Sequence, residues 1–185
     1  MTNDENTQNT QIQAHELLFG VRRSIQYHNR RKGFYNQFNL LTNAFAIIGG
    51  SGMALQMLQQ TNNAWAATAS GMFIVITSTV NLVVNTTHKA NQHHNIAQQF
   101  IALEKQIITA QQPIININQW QSTKLTIEAN EPPILQVLDT ICHNDLLRRM
   151  GYNDSFQVQV SFIQRLLSNI IDITPHKLKA PNQVI

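Results

Sequence analysis

The sequence predicts an all-α chain, a two-transmembrane helical hairpin whose long helices extend into a cytoplasmic helical bundle. Three observations carry that expectation. Residues 33–87 contain no Asp, Glu, Lys or Arg. Arg22, Arg23, Arg30, Arg31 and Lys32 crowd the left edge of this gap, and His88 and Lys89 close its right edge. Outside the gap, apolar residues recur every three or four positions, the period of a helix with one buried face.

The gap is long enough for two helices of about 20 residues, roughly 30 Å each, the thickness of a bilayer core. The predicted spans are 38–58 and 64–84, joined by a turn at 59–63 (QQTNN). Neither is strongly apolar: Asn43 and Gln56 interrupt the first, and Thr68, Ser70, Thr77, Ser78, Thr79 and Asn81 dilute the second. Each alone is marginal on transfer scales, so the two are expected to insert as a pair. The alternative is a soluble, fully buried helical hairpin, but a soluble helix of this length normally carries a charged outer face. Lys and Arg flanking a span are retained on the cytoplasmic side, which places both termini inside and makes the protein multi-pass. Trp65, Phe34 and Tyr35 fall at span ends, where amphipathic rings favour the headgroup level.

The remaining elements follow in chain order. Residues 1–12 (MTNDENTQNTQI) are polar and acidic, unlike a signal peptide, and are expected to be a disordered tail. Leu17, Leu18, Val21, Ile25 and His28 share a face of an amphipathic helix that begins near residue 13 and enters the first span. Ile96, Phe100, Leu103 and Ile107 form an apolar seam on the helix after the second span, which Pro113 ends. The hairpin with its flanking helices thus covers 13–112. Residues 113–132 read as a connector, because IININ alternates like a short strand and the following residues fit strand or loop. A helical pair is expected over 133–173. Its first helix opens at Pro133, buries Ile134, Leu135, Leu138, Ile141, Cys142 and Leu146, and is closed by Gly151 after Arg148 and Arg149. The second is capped by Asp154 or Ser155 and buries Phe156, Val160, Ile163, Leu166, Leu167, Ile170 and Ile171. Residues 174–185 are a tail.

At 185 residues and net charge +3, the chain concentrates its basic excess beside the gap instead of spreading it over a surface, so no specific nucleic-acid binding is expected. A juxtamembrane cluster of Arg22, Arg23, Arg30, Arg31, Lys32 and Lys89 suits anionic lipid, at about 1 kcal/mol per residue. Cys142 is the single cysteine, which excludes an internal disulfide.

Long helix, two spans, long helix and a helical pair: this layout resembles the SLATT family of two-transmembrane effectors associated with SMODS nucleotidyltransferases and SLOG nucleotide-sensing domains. The resemblance rests on VRRSIQYHNRRKGFYNQF before the first span, on Ile47, Ile48, Gly49, Gly50, Ser51 and Gly52 within it, and on the helix resuming at HKANQHHNIAQQFIALEKQI. It implies a membrane effector of a bacterial anti-phage conflict system. Such a protein oligomerises and disrupts the inner membrane when a sensor or nucleotide-signalling protein encoded nearby is triggered.

Both predicted spans carry polar or small faces suited to that role. Asn39, Asn43, Ala46, Gly50 and Met53 fall at helical spacing on the first span, and Ala46, Gly50 and Ala54 are four apart, with Gly49 beside them. Ser70, Thr77, Asn81 and Asn85 form a stripe on the second span, broken by Ile74 and flanked by Gly71 and Ser78. Such a stripe either bonds a neighbouring helix or borders water; Ser and Thr also bond their own backbone. The Ile96, Phe100, Leu103 and Ile107 seam is the expected oligomer contact.

Enzymatic chemistry finds little support. His88, His93 and His94 do not share a helix face and have no carboxylate at ligand spacing, so no metal is expected. Cys142 and His143 are adjacent on a helix and cannot form a nucleophile and base pair, which leaves Cys142 a buried structural residue. There is no Gly-rich phosphate loop, so no catalytic residue and no cofactor is expected. His28, beside Arg30 and Arg31, reads as part of a solvated interfacial face or as a group that responds to pH or lipid phosphate. The sequence therefore favours a non-enzymatic pore-forming or membrane-disrupting effector. A membrane anchor or scaffold that docks a partner through its cytoplasmic helices is the alternative.

Overall fold

The computed structural model describes residues 2–59, 64–110 and 113–178, with side chains at 8–52, 65, 68–110, 116–176 and 178. Residues 60–63 of the predicted turn, the side chain of Ala54 and the tail beyond 178 lie outside the described residues. Among the described residues the protein is helical and has no β-strand. These residues form six α-helices: α1 (Thr2–Gln59), α2 (Ala64–Val84), α3 (Thr86–Thr109), α4 (Pro113–Glu128), α5 (Gln136–Arg149) and α6 (Phe162–Leu167). The chain divides into a first unit of Met1–Arg30 with His93–Ile185, and a second of Arg31–Gln92.

In the first unit, the N-terminal half of α1 lies among α3, α4 and α5. Leu17 and Val21 of α1 meet Ile96, Phe100, Leu103 and Ile107 of α3 and Ile117, Trp120 and Ile127 of α4 in one buried cluster. On the α5 side, Tyr27 packs with Leu138 and Cys142, and its hydroxyl accepts from the Leu135 amide at 2.9 Å. Phe19 meets the His143 ring edge-on. The seam at 96–107 is thus consumed inside the chain, which corrects its expected role as an oligomer contact.

Three further expectations change. Residues 2–12 belong to α1 and are not a disordered tail. The expected connector at 113–132 is mostly the helix α4, opened by Pro113. Its buried residues Ile117, Trp120 and Ile127 keep helical spacing, a pattern the short alternation IININ hides. The helical pair is also shorter than 133–173. The backbone is still extended at Leu135, so α5 begins at Gln136, and Ile134 is exposed. Asp172 caps α5 from a distance, its carboxylate accepting from the Gln136 amide at 2.7 Å and the Val137 amide at 2.9 Å. The other end of α5 is closed as expected at Gly151, where φ is +79°, with Tyr152 N–H donating to the Leu147 carbonyl and Gly151 N–H to that of Arg148.

Beyond Gly151 the predicted second helix is broken. Asp154–Phe156 is a single 3-10 turn, and the Asn144 side chain clamps Val158, donating to its carbonyl at 2.6 Å and accepting from its amide at 2.9 Å. That side-chain pairing competes with helix for the same backbone groups. Helix resumes only at α6, under a capping box of Ser161 and Gln164. Phe156, Ile163, Leu166, Ile170 and Ile171, expected to be buried, are exposed along with Phe162.

In the second unit, α1 from Arg31 onward runs antiparallel to α2. The pairs Asn39 with Asn81, Phe45 with Phe73 and Gly49 with Ile74 set the register. Asn85, at φ +49°, separates α2 from α3, and the Asn85 N–H to Asn81 carbonyl bond bridges the break. The run Thr68–Thr109 contains a stretch long and apolar enough to cross a membrane, and none of that stretch is buried.

Candidate functional site

The second unit leaves many apolar side chains exposed, and several of its polar ones line a groove beside α1 and α2. Leu40, Leu41, Ile47 and Ile48 of α1 and Met72, Val75, Ile76 and Leu82 of α2 are all exposed. Against this background, a groove of about 380 Å³ is lined by Thr42, Asn43, Ala46, Thr77, Ser78 and Asn81 among others. A short hydrogen-bonded chain organises it. Thr86 Oγ1 donates to Asn81 Oδ1 at 2.6 Å, and Asn81 Nδ2 donates across to Asn39 Oδ1 at 3.1 Å. Asn43 Nδ2 reaches the same Asn39 oxygen at 3.5 Å, and Thr42 Oγ1 donates to the Asn39 carbonyl at 3.0 Å. Thr77 returns its hydroxyl to its own helix, 3.0 Å from the Phe73 and Ile74 carbonyls.

Most of the predicted polar positions therefore converge. Asn43, Ala46, Thr77, Ser78 and Asn81 share the groove. Among the glycines, Gly49 makes the close approach, since a Cβ there would lie 3.0 Å from Ile74 Cγ1 and 4.0 Å from the Ser70 carbonyl oxygen. Gly50 has no such neighbour within 4 Å, and Gly71 is half-buried on α2. Gly49→Val is accordingly expected to force α1 and α2 apart at a cost of about 1–3 kcal/mol. In a Cys142→Ser background, oxidative cross-linking of Phe45→Cys to Phe73→Cys should slow several-fold with Gly49→Val and keep its rate with Gly50→Val. An unchanged rate with Gly49→Val would contradict the contact.

The basic residues are less available than their sequence position implies. Arg22 pairs with Glu104 at 2.7 Å, Arg23 with Asp139 at 3.2 Å, and Arg30 with Asp145. These ion pairs correct the expectation of an undivided lipid-facing cluster. In the second unit, Arg31 stacks over Tyr35 with its Cζ 4.7 Å from the ring centre, and Lys89 Nζ lies 5.7 Å from the same ring; Lys32 is half-buried. His28 is buried, not solvated, which removes it from an interfacial face.

Asn39, which the sequence places on the same face as Asn43, is the acceptor for both Asn81 and Asn43 beside the groove. Among the described residues no cluster of His, Cys, Asp or Glu is arranged to hold a metal ion. No family model, curated protein or solved structure matches the chain.

Proposed function

We propose that this chain is an integral membrane protein whose second unit is a two-span hairpin that self-assembles through its polar groove. In this reading it acts as a non-enzymatic effector that permeabilises a bacterial inner membrane. The observation that carries the proposal is the pairing of an uncharged, exposed apolar surface with a groove lined by polar side chains on the same two helices. Lipid tails suit the first. The second offers Asn, Ser and Thr groups whose hydrogen bonds hold membrane helices together at about 0.6–2 kcal/mol each. Both termini are assigned to the cytoplasm from the basic flanks. The trigger is assigned to a sensor or nucleotide-signalling partner, on the SLATT resemblance.

The test is Asn81→Leu. It removes the central member of the Thr86–Asn81–Asn39 chain, and with it both hydrogen bonds, while keeping the helix apolar. Expression of the unaltered chain should depolarise the inner membrane, and Asn81→Leu should abolish that. Depolarisation unchanged by the substitution contradicts the groove's role.

The scaffold reading is favoured by one separate observation, the exposed row of Phe162, Ile163, Leu166 and Ile170. Under it, membrane potential stays intact with the unaltered chain, and Phe162→Ser abolishes partner retention.

A further inference from the structure

The first unit holds a cavity of about 480 Å³, lined by residues of α1, α3 and α5, that neither proposed activity uses. Arg22, Gln26 and Arg30 of α1 line it at successive turns, each four residues after the last. Leu146 and Arg149 reach it from one face of α5, and Glu104 reaches it from α3. Three guanidiniums therefore stand against one carboxylate in the lining, and Ile25 and Leu146 supply an apolar part.

The neighbouring carboxylates position the guanidiniums without using up their donors. Arg22 donates through Nε to Glu104 Oε1 at 2.7 Å, and Arg30 donates through Nη2 to Asp145 Oδ2. Each contact engages a single nitrogen of a planar fork that carries five N–H donors. The two arginine side chains keep 36% and 37% of their surface exposed, so the rest of each fork is open to a ligand. Asp145 is shared: it also accepts from Gln26 Nε2 at 3.4 Å and lies 3.7 Å from Arg148 Nη1. One carboxylate thus offsets two guanidiniums there, and the positive excess of the lining survives. Arg149 is exposed on the last turn of α5.

Charge, fork geometry and volume together select a ligand class. A guanidinium grips two oxygens of a phosphate at once, and forks already held by carboxylates lose little freedom on doing so. An excess of two positive charges matches a dianion. The volume lies in the range of small-molecule sites, and Ile25 and Leu146 offer a surface to an apolar group.

We infer that this cavity binds a phosphate monoester bearing a small apolar group, with the phosphate on Arg22, Arg30 and Arg149 and the apolar group on Ile25 and Leu146. A free organic phosphate and a lipid phosphate monoester present the same chemistry to it. The bound ligand joins α1 to α5. The site lies wholly in the first unit and stands whether or not the second unit crosses a membrane.

The test is calorimetric titration of the full-length chain in detergent micelles with phenyl phosphate at about pH 7.5, where a monoester is a dianion. Saturable binding is expected. Benzoate, the same ring with one charge, should bind at least about tenfold more weakly. Dihexanoyl phosphatidic acid forms the lipid arm: tighter binding than phenyl phosphate assigns the site to a lipid headgroup, and weaker binding to a free organic phosphate. Arg149→Gln should weaken phenyl phosphate by about tenfold or more, whereas Arg148→Gln, which removes the same charge beside the cavity, should stay within about threefold. Cys142 gives a second readout. It is buried on α5 against Tyr27 of α1, and burial pushes its thiol up to about 12, so reaction with a maleimide requires opening. Phenyl phosphate at ten times its dissociation constant should slow that labelling by about tenfold, and by only about twofold in Arg149→Gln at the same concentration. Absence of saturable phenyl phosphate binding overturns the inference, as does benzoate binding equally well or an equal effect of the Arg148 and Arg149 substitutions.

Discussion

Truncating Phe100 to alanine is expected to destabilise the first unit by about 3–5 kcal/mol, the range for removing a buried aromatic ring from a packed core. Phe100 has no exposed surface and sits where the α1 and α3 faces meet α4, with the His28 ring stacked on it. The loss therefore combines the transfer of the ring with a cavity that three helices cannot close together. Labelling of Cys142 at neutral pH should accelerate by roughly 100-fold or more, since each 1.4 kcal/mol is about a factor of ten. Ile101, its neighbour on α3, points outward, so Ile101→Ala should leave the rate within a few-fold. Equal effects at the two positions would contradict the assignment of the seam to the chain's own core.

The second large effect is expected in the other unit. Ile76→Lys places a charge near the middle of α2, at an exposed position among Met72, Val75 and Val80. A lysine at the centre of a membrane helix costs about 2.5–3.5 kcal/mol on insertion scales, roughly a hundredfold in the inserted fraction. The polar content of α2 leaves it without the margin to absorb that cost. With Asn62→Cys in a Cys142→Ser background, an impermeant maleimide applied outside intact cells should label the unaltered hairpin and fail to label the Ile76→Lys variant. Ser78→Lys faces the groove and tests water access instead, because a lysine bordering water is tolerated far better than one facing lipid. Labelling that survives Ile76→Lys would mean that this face of α2 does not meet lipid.

How legible these features are in the sequence depends on whether the signal is periodic or long-range. The faces of α1 and α3 could be read directly, because Leu17, Val21, Ile96 and Phe100 recur at helical spacing and are buried. What covers such a face is not encoded in its period. The 96–107 seam reads equally well as an oligomer contact, and only the folding of 113–128 into α4 assigns it to the chain's own core. The same limit applies to charge. Arg22, Arg23 and Arg30 read as a basic cluster because Glu104, Asp139 and Asp145, which neutralise them, lie far along the chain. His28 falls on the apolar face of its helix, so its burial was available from the pattern, whereas its partners His93 and Glu131 come from two other segments. In the groove, residue types were legible and register was not: the polar stripes are visible, but Gly49, rather than Gly50, meets Ile74 because of how the two helices rotate against each other. The break after Gly151 depends on one distant pairing, Asn144 with Val158, that no local propensity encodes.

The central claim is that the uncharged stretch crosses a bilayer, and alkaline carbonate extraction of membranes from cells expressing the full-length chain tests it most directly. The account predicts that the chain stays in the membrane pellet, because α1 and α2, joined by Asn39 and Asn81, cannot leave lipid without exposing their outward apolar side chains to water. Release of the chain into the supernatant would contradict it, and would require a protein partner to cover those apolar faces instead.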